Sequence, residues 1–200
     1  FPEFLEKKGI LTGIKVDTGA KDLAGKNEEK ITEGLDNLRE RLIEYKNLGA
    51  SFTKWRAVIK IKDDILPSKA CIRANAHALA RYASLCQEND LVPIVEPEII
   101  MDGNHSIQKC YEVTKNVLNI VFEQLTLFDV FLPGIVLKPN MIICGQDCQK
   151  NCSKNPEKVA ELTVKCLTES VPKEVPGIAF LSGGQSSDLA TLHLNLMNKF

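Results

Sequence analysis

The sequence predicts an α/β fold in which a parallel sheet is covered by helices. Short apolar, β-branched runs alternate about five times with stretches whose apolar residues recur every three or four positions. The stretches between consecutive runs are long enough to hold crossover helices, which parallel strands require. With 200 residues, 44% hydrophobic and 26% charged, the chain matches a globular protein with one sizeable core. Residues 1–200 are therefore predicted to form one domain.

The first unit is predicted as a strand at Ile10–Asp17 and a helix at about Thr32–Leu48. The strand run is short and β-branched. The helix is indicated by apolar residues spaced by three or four between charged ones, namely Leu35, Leu38, Leu42 and Tyr45. Thr32 is a suitable N-terminal cap for this helix, and Gly49 a suitable end.

The second unit is predicted as a strand at Phe52–Ile61 and a helix at about Pro67–Glu88. Because side chains alternate along a strand, one face carries Lys54, Arg56 and Val58, and the other carries Trp55, Ala57 and Ile59. Two cations therefore share a face. The helix opens with proline and serine and carries an apolar stripe. Trp55 and His77 are interpreted as packing residues.

The third unit is predicted as a strand at Leu91–Glu98 and a helix at about Ile107–Leu127. The strand is apolar until it ends in two carboxylates, Glu96 and Glu98. Their spacing of two directs both side chains to the same face. The helix is indicated by its apolar stripe, Val113, Val117, Ile120, Val121 and Leu125.

The last two units follow the same pattern. A fourth strand runs through Gly134–Lys138, and a polar loop containing cysteines leads to a helix at about Pro156–Ser170. A fifth strand at Gly177–Ser182 enters the glycine-containing turn Gly183–Ser186. A last helix follows, and its apolar positions are Leu189, Leu192 and Leu196.

Lys138 stands at an unusual position. It ends an apolar run, where burial favours an aliphatic side chain, and Pro139 stops the strand after it. Lysine is rarely buried without a partner, and a partly desolvated lysine can carry a neutral, nucleophilic amine. Such an amine can form a Schiff base with a carbonyl compound. The alternative is a lysine just past a strand end with its amine in solvent.

Charged and polar candidates lie at the ends of all the predicted strands. The carboxyl ends of parallel strands meet at one side of an α/β sheet, where ligands bind. These ends carry Lys15, Lys54, Arg56, Glu96, Glu98, Lys138 and Ser182. A closed, eight-stranded (β/α)8 barrel is the natural architecture, but it usually needs about 250 residues. About three further units are therefore expected outside the five predicted here.

These side chains suit chemistry on a phosphorylated carbonyl compound. Lys138 can attack a ketone, with the positive charge of Lys54 helping to hold its amine neutral. Glu96 can move the protons that carbinolamine dehydration requires. The resulting imine withdraws electrons for cleavage of an adjacent carbon–carbon bond, and this chemistry needs no metal or cofactor. The alternative for the charged strand ends is a structural network of ion pairs.

The turn Ser182–Ser186 is a candidate phosphate loop. Its two glycines admit close approach of an anion to the backbone, and amides at the start of the following helix favour negative charge. Phosphate sites of barrels often lie at late strand ends. The alternative is an ordinary strand-to-helix turn, since glycine-rich turns are common.

Composition argues against several classes of protein. The net charge of −1 and the isoelectric point near 6.4 leave no basic footprint for nucleic acid or an anionic membrane. The apolar runs are too short for a membrane span, and residues 1–6 lack the pattern of a secretory signal, so a cytoplasmic protein is expected.

Seven cysteines, an odd number, favour reduced thiols. Cys144, Cys148 and Cys152 suggest a metal or iron–sulfur site, but their spacing matches zinc sites poorly, so unligated thiols are favoured.

Six stretches together resemble the class I fructose-1,6-bisphosphate aldolases, the metal-independent family that works through a Schiff base. They occur in order, at family-like separations, over nearly the whole chain. The stretches are Gly13–Asp17, Phe52–Arg56, Ala80–Ser84, Val92–Glu98, Leu137–Met141 and Phe180–Ser186. The resemblance implies a (β/α)8 barrel, carbon–carbon lyase activity on a phosphorylated sugar in glycolysis and gluconeogenesis, and a homotetramer.

The resemblance also implies catalytic roles. Lys138 is the residue that forms the Schiff base with dihydroxyacetone phosphate, and Glu96 is the acid and base of that step. Lys54 assists at the 4-hydroxyl, where the carbon–carbon bond breaks. Glu98 positions the lysines and supports them electrostatically.

Substrate-binding roles follow from the same resemblance. Lys15 adds positive charge to the site, and Arg56 lies near the 6-phosphate. Ser182 binds the 1-phosphate together with the backbone of Leu181 and Gly183.

The resemblance places Lys15 on the third strand of the family barrel and Ser182 on the seventh. The first two strands and the last, with a catalytic aspartate, a phosphate-binding arginine and a C-terminal tyrosine, are therefore expected outside this chain. The domain is thus expected to be incomplete, and the chain alone is expected to be inactive.

Two alternatives stay open. One is another lysine-dependent barrel enzyme, resembling transaldolase or deoxyribose-phosphate aldolase, which the motifs Glu96-Pro-Glu98 and Lys54-Trp-Arg56 disfavour. The other is a non-catalytic role in which the cationic mouth binds actin or an acidic peptide.

Overall fold

The computed structural model of the chain describes residues 2–148 and 155–200. Its helices and strands, in chain order, are α1 (Pro2–Glu6), β1 (Thr12–Lys15), β2 (Gly19–Asp22), β3 (Lys30–Glu33), α2 (Leu38–Asn47), β4 (Ala50–Lys60), α3 (Lys69–Glu88), β5 (Val92–Ile100), α4 (Ile107–Leu127), β6 (Val136–Leu137), α5 (Pro156–Ser170) and α6 (Ser187–Met197). Short 3₁₀ turns cover Leu132–Gly134 and Gln146–Cys148. In the described part of the chain, no helix is long and apolar enough to cross a membrane.

The main sheet is parallel, as predicted. Its strand order is β1-β4-β5-β6, and each of the three pairings is parallel. The strand order follows the order along the chain. Because neighbouring strands are parallel, their carboxyl ends lie at the same edge of the sheet. The prediction of an α/β fold with a parallel, helix-covered sheet is confirmed.

The predicted fifth strand lies beside β6 but is not a regular strand. The amide of Ala179 donates to the carbonyl of Leu137 over 2.9 Å, and the amide of Leu181 donates to the carbonyl of Pro139 over 3.2 Å. Leu137 and Ile178 form an isolated parallel bridge. β6 itself has only two residues, because Pro139 offers no backbone N–H to continue a ladder.

The helix predicted from Thr32 begins later, at Leu38. Thr32 lies instead in β3, which pairs antiparallel with β2, and its buried hydroxyl donates to the carbonyl of Arg56 over 2.7 Å. Thr32 is therefore not a helix cap. Gly34 at φ 125° and Asn37 at φ 53° interrupt the backbone between the strand and the helix. The predicted apolar stripe is retained, since Leu38 and Leu42 of α2 are buried.

Capping side chains fix several helix starts. Ser68 accepts from the amide of Cys71 over 3.2 Å, so α3 begins at Lys69, two residues after the predicted start. Ser106 caps α4 in the same way. The predicted bounds of α4 and of α5 are confirmed. The strand predicted to end at Glu98 continues to Ile100, so both carboxylates lie inside β5 rather than at its end.

The core lies between the sheet and its covering helices. Trp55, Ala57 and Ile59 of β4 are buried, whereas Lys54 and Val58 are partly buried and Arg56 is exposed, which confirms the predicted alternation. The ring of Trp55 packs on Tyr82 of α3 with centroids 5.4 Å apart. His77 lies exposed on α3 and contacts the edge of Phe128 at 5.1 Å between centroids, in keeping with a packing residue.

The cysteines are not all reduced. Cys144 is disulfide-bonded, so the expectation of reduced thiols is wrong at this residue. Free thiols are found at Cys71, Cys86, Cys110, Cys148 and Cys166, and Cys152 lies outside the described residues. An odd number of cysteines is compatible with a disulfide bond in addition to free thiols. The number of cysteines therefore does not determine the oxidation state of each one.

Candidate active site

The centre of the candidate site is the carboxylate of Glu96 on β5. It is 3% exposed, and its two oxygens face two different lysines. The Nζ atom of Lys138 lies 2.9 Å from Oε1, and the Nζ atom of Lys54 lies 3.1 Å from Oε2. The contact with Oε2 meets the distance of an ion pair but not the geometry of a hydrogen bond. One oxygen of a buried carboxylate therefore retains capacity to accept a hydrogen bond.

Strand register brings these three residues together. Lys54 on β4 pairs with Ile94 of β5, and Arg56 pairs with Glu96. Beyond β6, the amide of Lys138 donates to the carbonyl of Val95 over 2.8 Å. β4, β5 and the residue directly after β6 thus each supply one side chain to the same place.

The environment of Lys138 is intermediate between core and solvent. Leu137 before it and Pro139 after it are buried, and the lysine side chain is 31% exposed. Its amine is paired with a buried carboxylate rather than extended into water, which argues against the solvated strand end considered above. Asn140 fixes the segment that follows, because its Oδ1 accepts from the amide of Ile99 over 3.1 Å.

Glu98, the second carboxylate of β5, is paired with Arg56. The guanidinium Nε of Arg56 donates to Oε2 of Glu98, and the Glu98 side chain is 12% exposed. This hydrogen bond raises the pKa of the Arg56 guanidinium above its ordinary value. Glu98 therefore holds an arginine in place, and its predicted support of the lysines stays a prediction, since its ion-pair partner is Arg56.

A buried aspartate, Asp17, organises the next strand end. Its Oδ1 lies 2.6 Å from Nζ of Lys15 and accepts from the amide of Gly19 over 3.1 Å. Its Oδ2 accepts from the amide of Arg56 over 3.2 Å. Asp17 links β1 to β4 and anchors Lys15 beside Lys54, its register partner. Sequence reasoning did not single out Asp17, although a carboxylate just after a β-branched run is the signal that drew attention to Glu96.

The candidate phosphate loop lies beside the segment that follows Lys138. Leu181, which is buried, pairs through its amide with the carbonyl of Pro139, and Ser182 comes next and is exposed. Gly183 and Gly184 have φ values of 59° and 75°, a left-handed conformation that glycine adopts without strain. Ser186 then caps α6 by accepting from the amide of Leu189 over 3.2 Å.

Two groups stand out among the predicted site residues. Those of β4 and β5, namely Lys54, Arg56, Glu96 and Glu98, lie within their strands rather than at the predicted carboxyl ends. Lys138, Glu96 and Lys54 form one contiguous cluster. The pair of Arg56 and Glu98 lies two residues further along β4 and β5. A nucleophilic amine, a buried carboxylate and a second cation suit imine formation on a carbonyl compound. Among residues 2–148 and 155–200, no group of three or more His, Cys, Asp or Glu side chains is placed to hold a metal ion.

Comparisons with known proteins point to one family. A family model described as "Fructose-bisphosphate aldolase class-I" matches residues 1–200. A curated relative from Xylella fastidiosa, "Probable fructose-bisphosphate aldolase class 1", is 57% identical over 200 residues. Relatives from chicken, "Fructose-bisphosphate aldolase B", and from Arabidopsis thaliana, "Fructose-bisphosphate aldolase 5, cytosolic", are 51% and 54% identical over 199 residues each.

A solved structure has the same fold. It is that of fructose-bisphosphate aldolase from Plasmodium falciparum, in complex with TRAP and a small-molecule inhibitor. The TM-score is 0.94 at 47% identity, and the match covers 98% of this chain and 56% of that one. The matches cover 59% of the Xylella relative and 54% of the chicken and Arabidopsis relatives, so the chain spans a little over half their length.

Proposed function

Because the chain belongs to the class I fructose-bisphosphate aldolase family, we propose that the full-length protein is a carbon–carbon lyase of glycolysis and gluconeogenesis. It reversibly cleaves fructose 1,6-bisphosphate to dihydroxyacetone phosphate and glyceraldehyde 3-phosphate. The observation that carries the proposal is the placement of Lys138 and Lys54 on the two oxygens of buried Glu96. Residues 1–200 form part of the (β/α)8 barrel domain that holds this site.

The first chemical step is attack of the Lys138 amine on the C2 ketone of the open-chain sugar. A carbinolamine forms, and its hydroxyl leaves as water once it is protonated. Glu96 is the group placed to deliver that proton and to accept one from nitrogen, because its Oε1 already lies at hydrogen-bond distance from Nζ. The product is a protonated imine, which withdraws electrons from the adjacent carbon more strongly than the ketone did.

The second step breaks the bond between C3 and C4. The 4-hydroxyl gives its proton to Glu96, which the dehydration step has left as a carboxylate. The electron pair of the O–H bond forms the aldehyde, and the electrons of the broken carbon–carbon bond move into the imine to give an enamine. Lys54 is assigned to the 4-hydroxyl because its amine shares Glu96 with Lys138 and faces the same space. Protonation of the enamine and hydrolysis of the imine then release dihydroxyacetone phosphate and regenerate Lys138.

The two phosphates are assigned to opposite ends of the cluster. Ser182 and the backbone of Leu181 and Gly183 bind the 1-phosphate, supported by their position beside the segment that follows Lys138. Arg56 is assigned to the 6-phosphate, with Glu98 holding its guanidinium. Lys15, anchored on Asp17, adds positive charge to the mouth. Glu98 thus supports the cations of the site through Arg56.

The proposal extends to the setting of the full-length protein. We propose a cytoplasmic protein with no nucleic-acid partner, supported by the net charge of −1 and by a cytosolic relative. We also propose a homotetramer, which the resemblance to the family implies. Binding of actin or an acidic peptide without catalysis is the less favoured alternative. It gives no reason for a buried carboxylate shared by two lysines, whereas imine chemistry does.

Steady-state kinetics of the full-length protein test the proposal. Cleavage of fructose 1,6-bisphosphate should be abolished by Lys138→Met and unaffected by Lys173→Met, which changes an exposed lysine. A chelator should leave the rate unchanged, since the amine supplies the electron sink. Comparison with fructose 1-phosphate shows whether the Arg56 end contributes to binding. Turnover that survives Lys138→Met, or that requires an added divalent metal, would refute the proposal.

A further inference from the structure

A buried histidine lies behind the candidate phosphate loop. His193 is on α6 and is 1% exposed, and it belongs to none of the roles assigned above. Its Nδ1 lies 2.5 Å from Oε1 of Gln185, the residue that ends the loop before the cap of α6. This contact joins the body of a helix to the turn that precedes it.

The hydrogen bonds of Gln185 fix which atom donates. Its Nε2 lies 2.8 Å from the carbonyl oxygen of Ser182, which can only accept. The amide oxygen Oε1 must therefore face His193, and the Nδ1 of the histidine must carry the proton. Burial lowers the pKa of His193 and so favours the neutral ring, in which Nε2 is unprotonated. This Nε2 is buried with no hydrogen-bond partner among the described residues.

Gln185 clamps the backbone at the start of the loop. Both its main-chain N–H, over 3.2 Å, and its side-chain amide, over 2.8 Å, donate to the carbonyl of Ser182. The side-chain amide also lies 3.6 Å from Sδ of Met141, in the segment that follows Lys138. Between the clamped ends stand Gly183 and Gly184, whose backbones have the greatest freedom of any residue. A loop with two glycines holds one conformation only if contacts outside it restrain it.

We propose that His193 is a positioning residue for the anion-binding backbone of residues 181–183, and that it acts through Gln185. The inference rests on the assignment of this loop to the 1-phosphate. His193 touches no substrate atom. It orients the side-chain amide of Gln185, and this amide holds the carbonyl of Ser182. The loop is therefore ordered before the phosphate binds, which reduces the conformational entropy lost on binding.

Variants of the full-length protein test this positioning role. His193→Leu fills the site without a donor and should weaken binding of inorganic phosphate at the loop about three- to tenfold, the effect of one lost hydrogen bond. His193→Asn should restore binding, since its amide can donate from close to the position of Nδ1. Thr191→Ala, at an exposed position of the same helix, is the matched control. Hydrogen exchange of the peptide 181–186 during phosphate titration measures binding at this loop alone.

A double mutant separates action through Gln185 from a general effect on folding. Gln185→Ala should weaken phosphate binding as much as His193→Leu does, and adding His193→Leu to it should cause no further loss. In steady state, His193→Leu should raise KM for fructose 1,6-bisphosphate and retain kcat. If His193→Leu does not fold, Gln185→Ala still decides, because parent-like phosphate binding in that variant overturns the proposal.

Imine formation at Lys138 is a separate readout. In one outcome the parent protein forms the imine, and His193→Leu binds phosphate as tightly as Thr191→Ala does. This outcome would overturn the positioning role and leave the proposed function intact. In another outcome the parent protein forms no imine, but His193→Leu still weakens phosphate binding. This outcome would support the positioning role and refute the proposed function.

Discussion

The amine of Lys138, the residue directly after β6, and the Oε1 atom of Glu96 on the neighbouring strand β5 lie 2.9 Å apart. The carboxylate is buried, whereas the amine is about one-third exposed, so the pair faces the mouth of the site with its acid protected from water. A proton can pass between these atoms without movement of the backbone. The chemistry assigned to the site depends on that short distance.

Loss of the Glu96 charge should slow imine formation while leaving the fold intact. Glu96→Gln keeps the shape of the side chain but can no longer move protons between Lys138 and the leaving hydroxyl. We expect imine formation to fall about 10²- to 10⁴-fold, the usual contribution of general acid–base catalysis. Single-turnover trapping with borohydride measures the rate. Glu123→Gln, at an exposed position of α4, is the control, and equal rates in the two variants would contradict the role given to Glu96.

Removal of Arg56 should destabilise the protein because it leaves Glu98 unpaired. The Glu98 side chain is only 12% exposed, so its carboxylate would lose a charged partner without gaining full access to water. Arg56→Ala should lower the free energy of unfolding by about 1–3 kcal/mol. Arg39→Ala breaks a similar pair with Glu88 in which both side chains are more than half exposed, and it should change stability far less. Urea unfolding measures both, and equal effects would show that burial of Glu98 does not matter.

Acid should destabilise the protein partly through His105. This side chain is buried with both ring nitrogens unpaired in the described structure, and burial lowers its pKa below the ordinary value of 6.5. The unfolded chain therefore binds more protons below about pH 6.5, and stability falls as the pH is lowered through that value. His105→Leu should flatten this dependence, measured by urea unfolding between about pH 5 and pH 7.5. Asn104→Ala, at the neighbouring exposed position, should leave it as steep as in the parent.

The bounds of α4 and α5 were predictable because a local pattern in the sequence marks each helix. The apolar stripe and Ser106 define α4, and Asn155 with Pro156 defines the start of α5. The hairpin of β2 and β3 was not predictable, because its short, charged strands show no alternation. It is held by tertiary contacts such as the hydroxyl of Thr32 on the carbonyl of Arg56, which no local pattern encodes.

The candidate site was predictable in its members and less so in its pairings. A lysine before a proline and carboxylates in an apolar strand are visible in the sequence, so Lys138 and Glu96 could be found. The pairing of Glu98 with Arg56 depends on strand register, and register is set by the packing of the whole sheet. The contact of Asp17 with the amide of Arg56 depends on strand register in the same way, whereas its contacts with Lys15 and Gly19 are local in sequence.

Covalent trapping shows directly whether Lys138 is the residue that forms the imine. The full-length protein is incubated with dihydroxyacetone phosphate, reduced with borohydride and analysed by peptide mass spectrometry. We expect a reduced adduct on Lys138, its absence in Lys138→Arg, and its retention in Lys173→Met. An adduct on Lys54 or Lys15 instead, or cleavage of fructose 1,6-bisphosphate by a protein in which Lys138 is never trapped, would contradict the account.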